Sequence, residues 1–202
     1  MSIVGTLHQR GVFGRRVRVL ADTLALLVPE RAAVLDVGCG DGSLDEALAA
    51  RRPDLLIEGI DVLVRPDARI PVTRYDGVTI PFADKSFDVV QFVDVLHHTL
   101  DPQALLREAR RVARRAIVLK DHGCDGILAD PTLRFMDWVG NAHHGVGLPY
   151  NYWPARRWRD AFDELGLSVE ARDECLELYP FPFSLVFGRA LHFAARLGLP
   201  RS

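Results

Sequence analysis

The segment from Val34 to Gly42 reads V-L-D-V-G-C-G-D-G, an apolar run that ends in three glycines at alternate positions. Glycine lacks a Cβ atom, so it adopts positive φ and lets a ligand approach the backbone closely. A helix that begins near Ser43 directs its free N–H groups at such a ligand. The segment therefore predicts a strand, a ligand-binding turn and a helix; a corner that needs its glycines only for packing is the alternative.

The spacing within this turn separates two kinds of nucleotide site. The dinucleotide pattern G-x-G-x-x-G needs a third glycine where this chain has Ser43. Here Asp36 stands two positions before Gly38, and the pattern is D-x-G-x-G-x-G, which resembles motif I of the class I S-adenosylmethionine-dependent methyltransferases. The resemblance implies that Gly38, Cys39 and Gly40 approach the amino-acid end of S-adenosylmethionine and that Asp36 helps to bind its ammonium group.

Two later acidic positions also resemble cofactor motifs of that family. Asp61 lies 25 positions after Asp36 at the end of the next predicted strand, followed by Val62, where a carboxylate accepts hydrogen bonds from both ribose hydroxyls. A helix N-cap is the alternative for Asp61. Asp76 and Gly77 resemble the position that reads the adenine ring, although Asp-Gly is also a common turn signal.

The segment around the fourth predicted strand carries a further resemblance. It reads F-D-V-V from Phe87, continues as F-V-D-V-L-H-H from Phe92, and is followed by Asp101 and Pro102. This order is similar to that of the small-molecule branch often called type 11 methyltransferases. The resemblance places Asp94 near the reactive end of the cofactor.

Composition limits the class of protein. A chain of 202 residues with 49% hydrophobic content can bury one sizeable core, and we expect one domain over residues 1–202. A net charge of −2 disfavours a broad nucleic-acid surface. Three widely spaced cysteines fit a reducing compartment better than a disulfide framework, which predicts a cytoplasmic location. No segment has the ~20 apolar residues that cross a bilayer.

Periodicity and turn residues predict alternating strands and helices, which indicates an α/β fold: a Rossmann-like, doubly wound sheet with helices on both faces. The resemblance implies seven mostly parallel strands with the last one antiparallel. We divide the chain into an N-terminal helical segment (1–32), a cofactor-binding core (33–120), a variable substrate-side insertion (121–166) and the final strands (167–202). The helical segment covers 6–28, with an interruption near 11–14. The predicted strands are 33–37, 55–60, 72–75, 87–93, 116–120, 167–176 and 191–197, and the predicted helices are 43–51, one that starts at 102, 132–139 and 154–165.

Histidines cluster after the fourth predicted strand. His122, His143 and His144 are the candidates for a general base, because imidazole titrates near neutral pH and Asp121-His122 follows the carboxyl end of a strand. Structural histidines are the alternative. Neither adjacent His pair has the spacing of metal ligands on one helix face, and C-x-x-C is absent, so we expect no metal site.

Two aromatic segments and one basic segment leave alternatives open. Tyr150, Asn151, Tyr152 and Trp153 have the composition of a pocket wall or lid that binds substrate, or of a loop packed on the sheet edge. Segments 179–183 and 184–187 suit either a homodimer contact or a cover for an apolar substrate. The arginines of 107–115 complement the dipole of a helix C-terminus, and contact with RNA is the sharper alternative.

The resemblance implies an S-adenosylmethionine-dependent methyltransferase that forms S-adenosylhomocysteine. It would transfer a methyl group to an oxygen, nitrogen or carbon nucleophile of a small-molecule acceptor. The alternatives are a non-catalytic cofactor-binding or regulatory protein of the same fold, an RNA methyltransferase and, more distantly, an NAD-dependent oxidoreductase.

Overall fold

The computed structural model describes residues 3–141, 149–188 and 190–200. Helices and strands alternate along most of this length, as the turn signals predict. The elements, in chain order, are α1 (Ile3–Leu27), β1 (Ala33–Val37), α2 (Ser43–Arg51), β2 (Leu56–Asp61), β3 (Val72–Arg74), β4 (Phe87–Val93), α3 (Pro102–Val112), β5 (Ala113–His122), α4 (Ala129–Asn141), α5 (Ala155–Glu164), β6 (Ser168–Asp173), α6 (Ser184–Phe187) and β7 (His192–Gly198). A short 3₁₀ turn, Leu96–His98, follows β4.

The strands of the described residues form one seven-stranded sheet in the order β3-β2-β1-β4-β5-β7-β6. Strands β1 to β5 pair in parallel, and β7 is antiparallel to both of its neighbours, β5 and β6. The predicted mostly parallel sheet with an antiparallel last strand is confirmed. The chain leaves β1 toward β2 on one side and returns to β4 on the other, so the crevice at the carboxyl ends of β1 and β4 is the expected ligand site of this architecture.

Helices cover both faces of the sheet. On one face, Leu105 of α3 and Phe162 of α5 belong to a buried cluster with residues of β1, β4 and β5. On the other face, Leu24 of α1 and Leu48 of α2 are fully buried in a second cluster. The prediction of a doubly wound fold is therefore confirmed.

Helix α1 is continuous, and the predicted interruption near 11–14 is wrong. Each helical glycine costs about 1 kcal/mol relative to alanine. The helix buries Leu20, Leu24 and Leu27, and full burial of each such side chain contributes roughly 1.5–3 kcal/mol. Packing against the sheet therefore outweighs the glycine penalty.

The N-cap of α3 and three element boundaries agree with the sequence prediction. Asp101 accepts a hydrogen bond from the Ala104 amide at 2.9 Å, which caps the start of α3. The bounds of β1, α2 and β4 match the predicted ones.

Five strands begin or end elsewhere than predicted. β3 ends one residue earlier, and β7 is shifted by one residue. β2 is shifted by one residue and includes Asp61. β5 is longer than predicted, so Asp121 and His122 lie within it rather than beyond its end. β6 ends at Asp173, because the Asp173 side chain accepts a hydrogen bond from the Cys175 amide at 2.8 Å and turns the chain away from the sheet.

Candidate functional site

The glycine turn between β1 and α2 lies at the crevice between β1 and β4. Gly38 and Gly40 have φ values of +79° and +62°, in the left-handed region that disfavours side chains. A Cβ on Gly38 would lie 2.5 Å from Val95 Cγ2, whereas a Cβ on Gly40 would meet nothing within 4 Å. Gly38 is therefore required for packing, and Gly40 leaves open space in front of the turn.

Asp61, at the end of β2, is tied to this turn. Its Oδ2 accepts a hydrogen bond from the Gly40 amide at 2.9 Å, and its Oδ1 accepts one from the Leu63 amide at 2.9 Å. An ionised carboxylate offers about four acceptor positions, so two of them remain for a ligand.

Asp76 and Gly77 lie next to the β2 end. Asp76 Oδ1 accepts hydrogen bonds from the amides of Val78 and Thr79, both at 2.8 Å, and Gly77 has a φ of +83°. A Cβ on Gly77 would lie 3.1 Å from Val62 Cγ1. The fold thus brings Val62 and Gly77 together. Asp76 also stabilises a local turn, which is the structural alternative to a role in binding adenine.

A cavity of about 260 Å³ lies in front of the glycine turn. Arg16 of α1 forms part of its wall. Five predicted cofactor residues also line it: Asp36, Gly38, Cys39, Gly40 and Asp94. A larger depression of about 450 Å³ lies at the surface among Glu30, Arg31, Arg52 and Asp54, and no predicted site residue lines it. The smaller cavity is the better candidate because the predicted residues converge on it.

Asp36 and Asp45 form a buried acidic pair beside this cavity. Burial raises the pKa of Asp36 to about 6 and, with the neighbouring Asp36 carboxyl, raises the pKa of Asp45 well above its usual range. Gln91 of β4 donates to Asp45 Oδ1 at 3.5 Å. Among the described residues, Asp36 Oδ1 and Asp45 Oδ2 have no hydrogen-bond partner.

The unpartnered oxygen of the acidic pair provides a test of the predicted cofactor. A buried acceptor without a donor costs free energy, so its presence in a residue that lines a cavity favours a ligand that donates a hydrogen bond to it. The ammonium group of an amino acid is such a donor. Asp36, the open space at Gly40 and the remaining acceptor positions of Asp61 therefore fit the parts of S-adenosylmethionine that the sequence resemblance implies.

Asp94 belongs to an ion-pair cluster with Arg16 and Lys120. Both cations donate to its carboxylate, and Asp94 itself has a φ of +58°. Burial alone would raise the pKa of Asp94, but Arg16 and Lys120 lower it well below its usual range. Lys120 is fully buried, and burial lowers its pKa. Sequence reasoning missed Arg16 and Lys120, although Lys120 is one of only two lysines and ends an apolar run.

His122 is the one predicted base candidate within the described residues. Its Nδ1 lies 3.2 Å from the Leu191 carbonyl oxygen, and its Nε2 lies 3.2 Å from Asp94 Oδ1. Burial lowers the pKa of His122 to about 4, with Lys120 adding to the effect. Both ring nitrogens thus face protein atoms. His143 and His144 lie outside the described residues.

His97 is packed against His122 and forms a close pair with Asp121. The ring centroids of the two histidines are 4.6 Å apart, and His97 Nδ1 lies 2.6 Å from Asp121 Oδ1. Burial alone would lower the pKa of His97, but Asp121 raises it to about 9. No local sequence signal distinguishes His97 from the other histidines, because its partner Asp121 is 24 positions away.

The four aromatic-loop candidates separate into different roles. Trp153 is 1% exposed and packs on Trp158 in the core, so the structure places it away from solvent. Asn151 binds the 3₁₀ turn and the residue after it: its backbone amide donates to the His97 carbonyl at 3.0 Å, and its Nδ2 donates to the Thr99 carbonyl at 3.2 Å. The Tyr152 ring stacks on His97, with centroids 5.3 Å apart. Arg134 lies over the ring of Tyr150, 4.9 Å from its centroid.

The basic segment at the end of α3 is engaged within the protein. Arg111 donates to Glu108, Asp84 and two backbone carbonyls, and Arg115 donates to the Glu30 carbonyl. These contacts account for both arginines structurally.

None of the helices within residues 3–141, 149–188 and 190–200 has the length and apolar character needed to cross a bilayer.

The chain is similar in sequence to known proteins. A family model for a methyltransferase domain matches residues 8–172. A 27-O-demethylrifamycin SV methyltransferase of Amycolatopsis mediterranei is 33% identical over 47% of this chain and 40% of its own. A demethylmenaquinone methyltransferase of a Roseiflexus species is 36% identical over 46% of this chain and 44% of its own. The chain thus matches these curated relatives over about two fifths of their length.

A solved structure agrees with the fold. An S-adenosylmethionine-dependent methyltransferase of Aquifex aeolicus superimposes with a TM-score of 0.63 at 15% identity, over 95% of this chain and 93% of the other. At this identity the likeness supports the architecture alone.

Proposed function

Since the chain belongs to the methyltransferase-domain family, we propose that it is an S-adenosylmethionine-dependent methyltransferase acting on a small-molecule acceptor. The observation that carries the proposal is the buried, unpartnered Oδ1 of Asp36, a residue that lines the cavity in front of the open turn at Gly40. Methyl transfer to oxygen is favoured over nitrogen and carbon, because the name of the rifamycin relative specifies an oxygen.

The residues of the crevice would divide the binding of the cofactor among them. Asp36 accepts hydrogen bonds from the ammonium group, and the turn at Gly38, Cys39 and Gly40 allows the amino-acid end to approach the backbone. When bound, S-adenosylmethionine supplies a methyl group on a sulfonium that a nucleophile can attack in line.

The nucleoside end of the cofactor would lie toward β2 and β3. Asp61 accepts from the ribose hydroxyls with the acceptor positions that Gly40 and Leu63 leave available. Val62 and Gly77 border the adenine position, and Asp76 accepts from the exocyclic amine.

The acceptor would enter on the β4–β5 side, where Asp94 borders the cavity. Tyr150, Asn151 and Tyr152 are the described candidates for contact with it. For an acceptor that must lose a proton, His122, His143 and His144 remain the proposed bases, and orientation of the acceptor supplies the rest of the effect.

Titration calorimetry with S-adenosylhomocysteine tests the cofactor assignment. We expect saturable binding that Asp61→Ala weakens at least tenfold, or about 1.4 kcal/mol, because ribose hydrogen bonds are lost. Asp67→Ala is the matched control, since Asp67 is exposed and follows the same strand. Equal affinity in the Asp61 variant would remove Asp61 from the site, and saturable binding of NAD alone would favour an oxidoreductase.

Transfer of labelled methyl groups separates the remaining alternatives. A methyltransferase labels a component of a small-molecule extract in a cofactor-dependent manner. Label in RNA would identify the RNA methyltransferase alternative. Binding without any transfer would identify the regulatory protein.

We extend the proposal to the compartment. Cys39, Cys124 and Cys175 are all free thiols. Free thiols persist where the redox poise is reducing, so the cytoplasm is the compartment that suits this chain.

A further inference from the structure

His97, His98 and Asp137 bring three metal-ligating side chains together on the β5 side of β4. His97 Nε2 lies 3.5 Å from Asp137 Oδ2, and His98 Nε2 lies 3.8 Å from Asp137 Oδ1. One ligand atom from each of the three residues lies within 4.8 Å of the others. The two histidines belong to the 3₁₀ turn after β4 and the aspartate to α4, so only the folded chain forms this group.

The separations are close to those of a tetrahedral metal site. Bonds of about 2.0–2.1 Å to imidazole nitrogen and carboxylate oxygen place neighbouring ligand atoms about 3.3 Å apart. The two imidazole–carboxylate distances exceed this value by roughly half an ångström or less, a difference that small side-chain rotations remove.

His97 is held in the orientation of a metal ligand. Its Nδ1 lies 2.6 Å from Asp121 Oδ1 and donates its proton to this carboxylate, so Nε2 is the nitrogen that binds an ion, releasing its own proton when the ion binds. His97 is 1% exposed, and its Nε2 has no hydrogen-bond partner among the described residues. One ring nitrogen of this imidazole is directed at the Asp137 carboxylate, and a second carboxylate fixes the other ring nitrogen. Histidines that bind metal ions in proteins are held in this way.

Asp137 has an outer partner as well. The hydroxyl group of Tyr152 donates to Asp137 Oδ2, and the Tyr152 ring stacks on His97. Hydrogen bonds to a ligating carboxylate orient it toward the ion. The group therefore has ligands and supporting contacts on two sides.

A second possible combination, His97 with Asp121 and His122, is less suitable. Asp121 already accepts from His97 and from the amides of Leu96 and His122, at 2.6, 3.1 and 2.8 Å. The two ring nitrogens of His122 face the Leu191 carbonyl and Asp94. These atoms would have to give up existing partners to bind an ion.

We propose that His97, His98 and Asp137 bind one divalent transition-metal ion, with a fourth position left for water or an oxygen of the acceptor. Two imidazoles and one carboxylate are a donor set of zinc and non-haem iron sites and are poorly suited to Mg²⁺. This inference reverses the expectation from histidine spacing, because the carboxylate ligand comes from a distant helix.

A role of the ion in catalysis rests on the proposed methyltransferase function. His122 packs on His97 and reaches Asp94 at the cavity wall, so the ion would lie on the acceptor side of the crevice. An ion there would hold and polarise an acceptor hydroxyl oxygen.

Metal titration of the full, tag-free chain tests the site without cofactor or acceptor. After treatment with a chelator, the protein is titrated with Zn²⁺ by calorimetry and with Co²⁺ by visible absorption, with Mg²⁺ as comparison. We expect one equivalent of Zn²⁺ or Co²⁺ to bind and the absorption to be typical of tetrahedral coordination. Saturable binding of Mg²⁺ alone, or of no ion, would overturn the proposal.

Variants assign the ligands. Asp137→Asn and His98→Gln should each weaken metal binding by at least about a hundredfold, and Tyr152→Phe, which removes only an outer partner, by about tenfold. Asp130→Asn is the matched control, since Asp130 lies on the same helix and pairs with Arg134 at the surface. Circular dichroism verifies that each variant is folded, and His98→Gln, at a partly exposed residue, keeps the test decisive if Asp137→Asn does not fold.

His122→Gln distinguishes the two combinations. The affinity of this variant for Zn²⁺ should stay within about threefold of the wild-type affinity. His122 would not coordinate the ion, so its replacement should change the affinity less than the loss of an outer partner, which costs about tenfold. Loss of the metal in this variant, with retention in His98→Gln, would refute the assignment. S-Adenosylhomocysteine is titrated into the same samples, so metal binding without cofactor binding would contradict the proposed function and leave the metal site standing.

Discussion

The carboxylates on the two sides of β4 differ in the charges that surround them and in the direction of their pKa shifts. In the acidic pair, no cation among the described residues acts on Asp36 or Asp45, and burial raises the pKa of both carboxyl groups. In the ion-pair cluster, Arg16 and Lys120 lower the pKa of Asp94 well below its usual range. The first group leaves an acceptor atom without a partner, and the second uses its acceptors internally.

This difference indicates what each side of the crevice can bind. A carboxyl pair that lacks a cation suits a ligand that brings one, such as an ammonium group. In the ion-pair cluster the Asp94 carboxylate already has two cations beside it, so Asp94 suits a structural and positioning role at the border of the cavity. The following changes test this contrast.

Lys120→Met converts the ion-pair cluster toward the state of the acidic pair. Removal of a fully buried cation leaves the Asp94 carboxylate with Arg16 as its remaining cation, and the free energy of unfolding should fall by about 3 kcal/mol. Urea denaturation measures the change. The double variant with Asp94→Asn should recover at least half of the loss, and a loss below about 1 kcal/mol would mean that the pair behaves as a surface contact.

Gly40→Leu fills the space in front of the acidic pair. The affinity for S-adenosylhomocysteine should fall at least a hundredfold, about 2.8 kcal/mol, since a side chain would occupy the open side of the turn. Backbone strain at positive φ should lower the free energy of unfolding by about 1–3 kcal/mol.

Gly126→Leu is the matched control for Gly40→Leu. Gly126 also has positive φ, +97°, and open space around its Cβ position, but it does not line the cavity. This variant should show similar strain with unchanged affinity. Equal loss of affinity in both variants would attribute the effect to strain, and unchanged affinity in Gly40→Leu would place the ligand elsewhere.

The pH dependence of stability has the smallest expected effect and sharpens the assignment of the acidic pair. Its carboxyl groups bind protons more tightly in the folded than in the unfolded state, so their contribution to stability is complete below pH 4. That contribution is lost as the pH rises through about 6, the pKa of Asp36. Relative to Asp45→Asn, the wild-type free energy of unfolding should fall by roughly 2 kcal/mol between about pH 4 and pH 7.

Denaturation of both proteins over this range isolates the pair, because other titrating groups are common to them and cancel in the difference. A wild-type chain whose stability rises with pH relative to Asp45→Asn would show that the pair is ionised in the folded state. Equal profiles would show that folding leaves the proton affinity of the pair unchanged.

The residues on one side of β4 could be predicted from the sequence better than those on the other side, because they lie closer together along the chain. Asp36, Gly38 and Gly40 lie within five consecutive positions, so their spacing alone places them in one turn. Gln91 was not predicted as a site residue, although a polar residue inside the apolar run of β4 is a signal that could have identified it. Asp45 gave no such signal, because an acidic residue in the first turn of a helix is ordinary.

The group on the other side of β4 has no comparable local signature. His97 meets Asp121 from the adjacent strand and Asp137 from α4, which is 40 positions later in the chain. Trp153 belongs to the predicted aromatic loop, yet packing against Trp158 buries it in the core. Contacts of this kind depend on how strands pair and which helix covers them.

Local order in the chain was therefore sufficient for the glycine turn, the alternation of strands and helices and the cap of α3, because each depends on backbone preferences and spacing over a few residues. The tertiary structure alone decided that α1 continues through its glycines, that Lys120 and Arg16 pair with Asp94, and that two histidines and an aspartate converge. The physical reason is that burial and charge pairing are set by neighbours in space, which the order of residues does not specify until the sheet has formed.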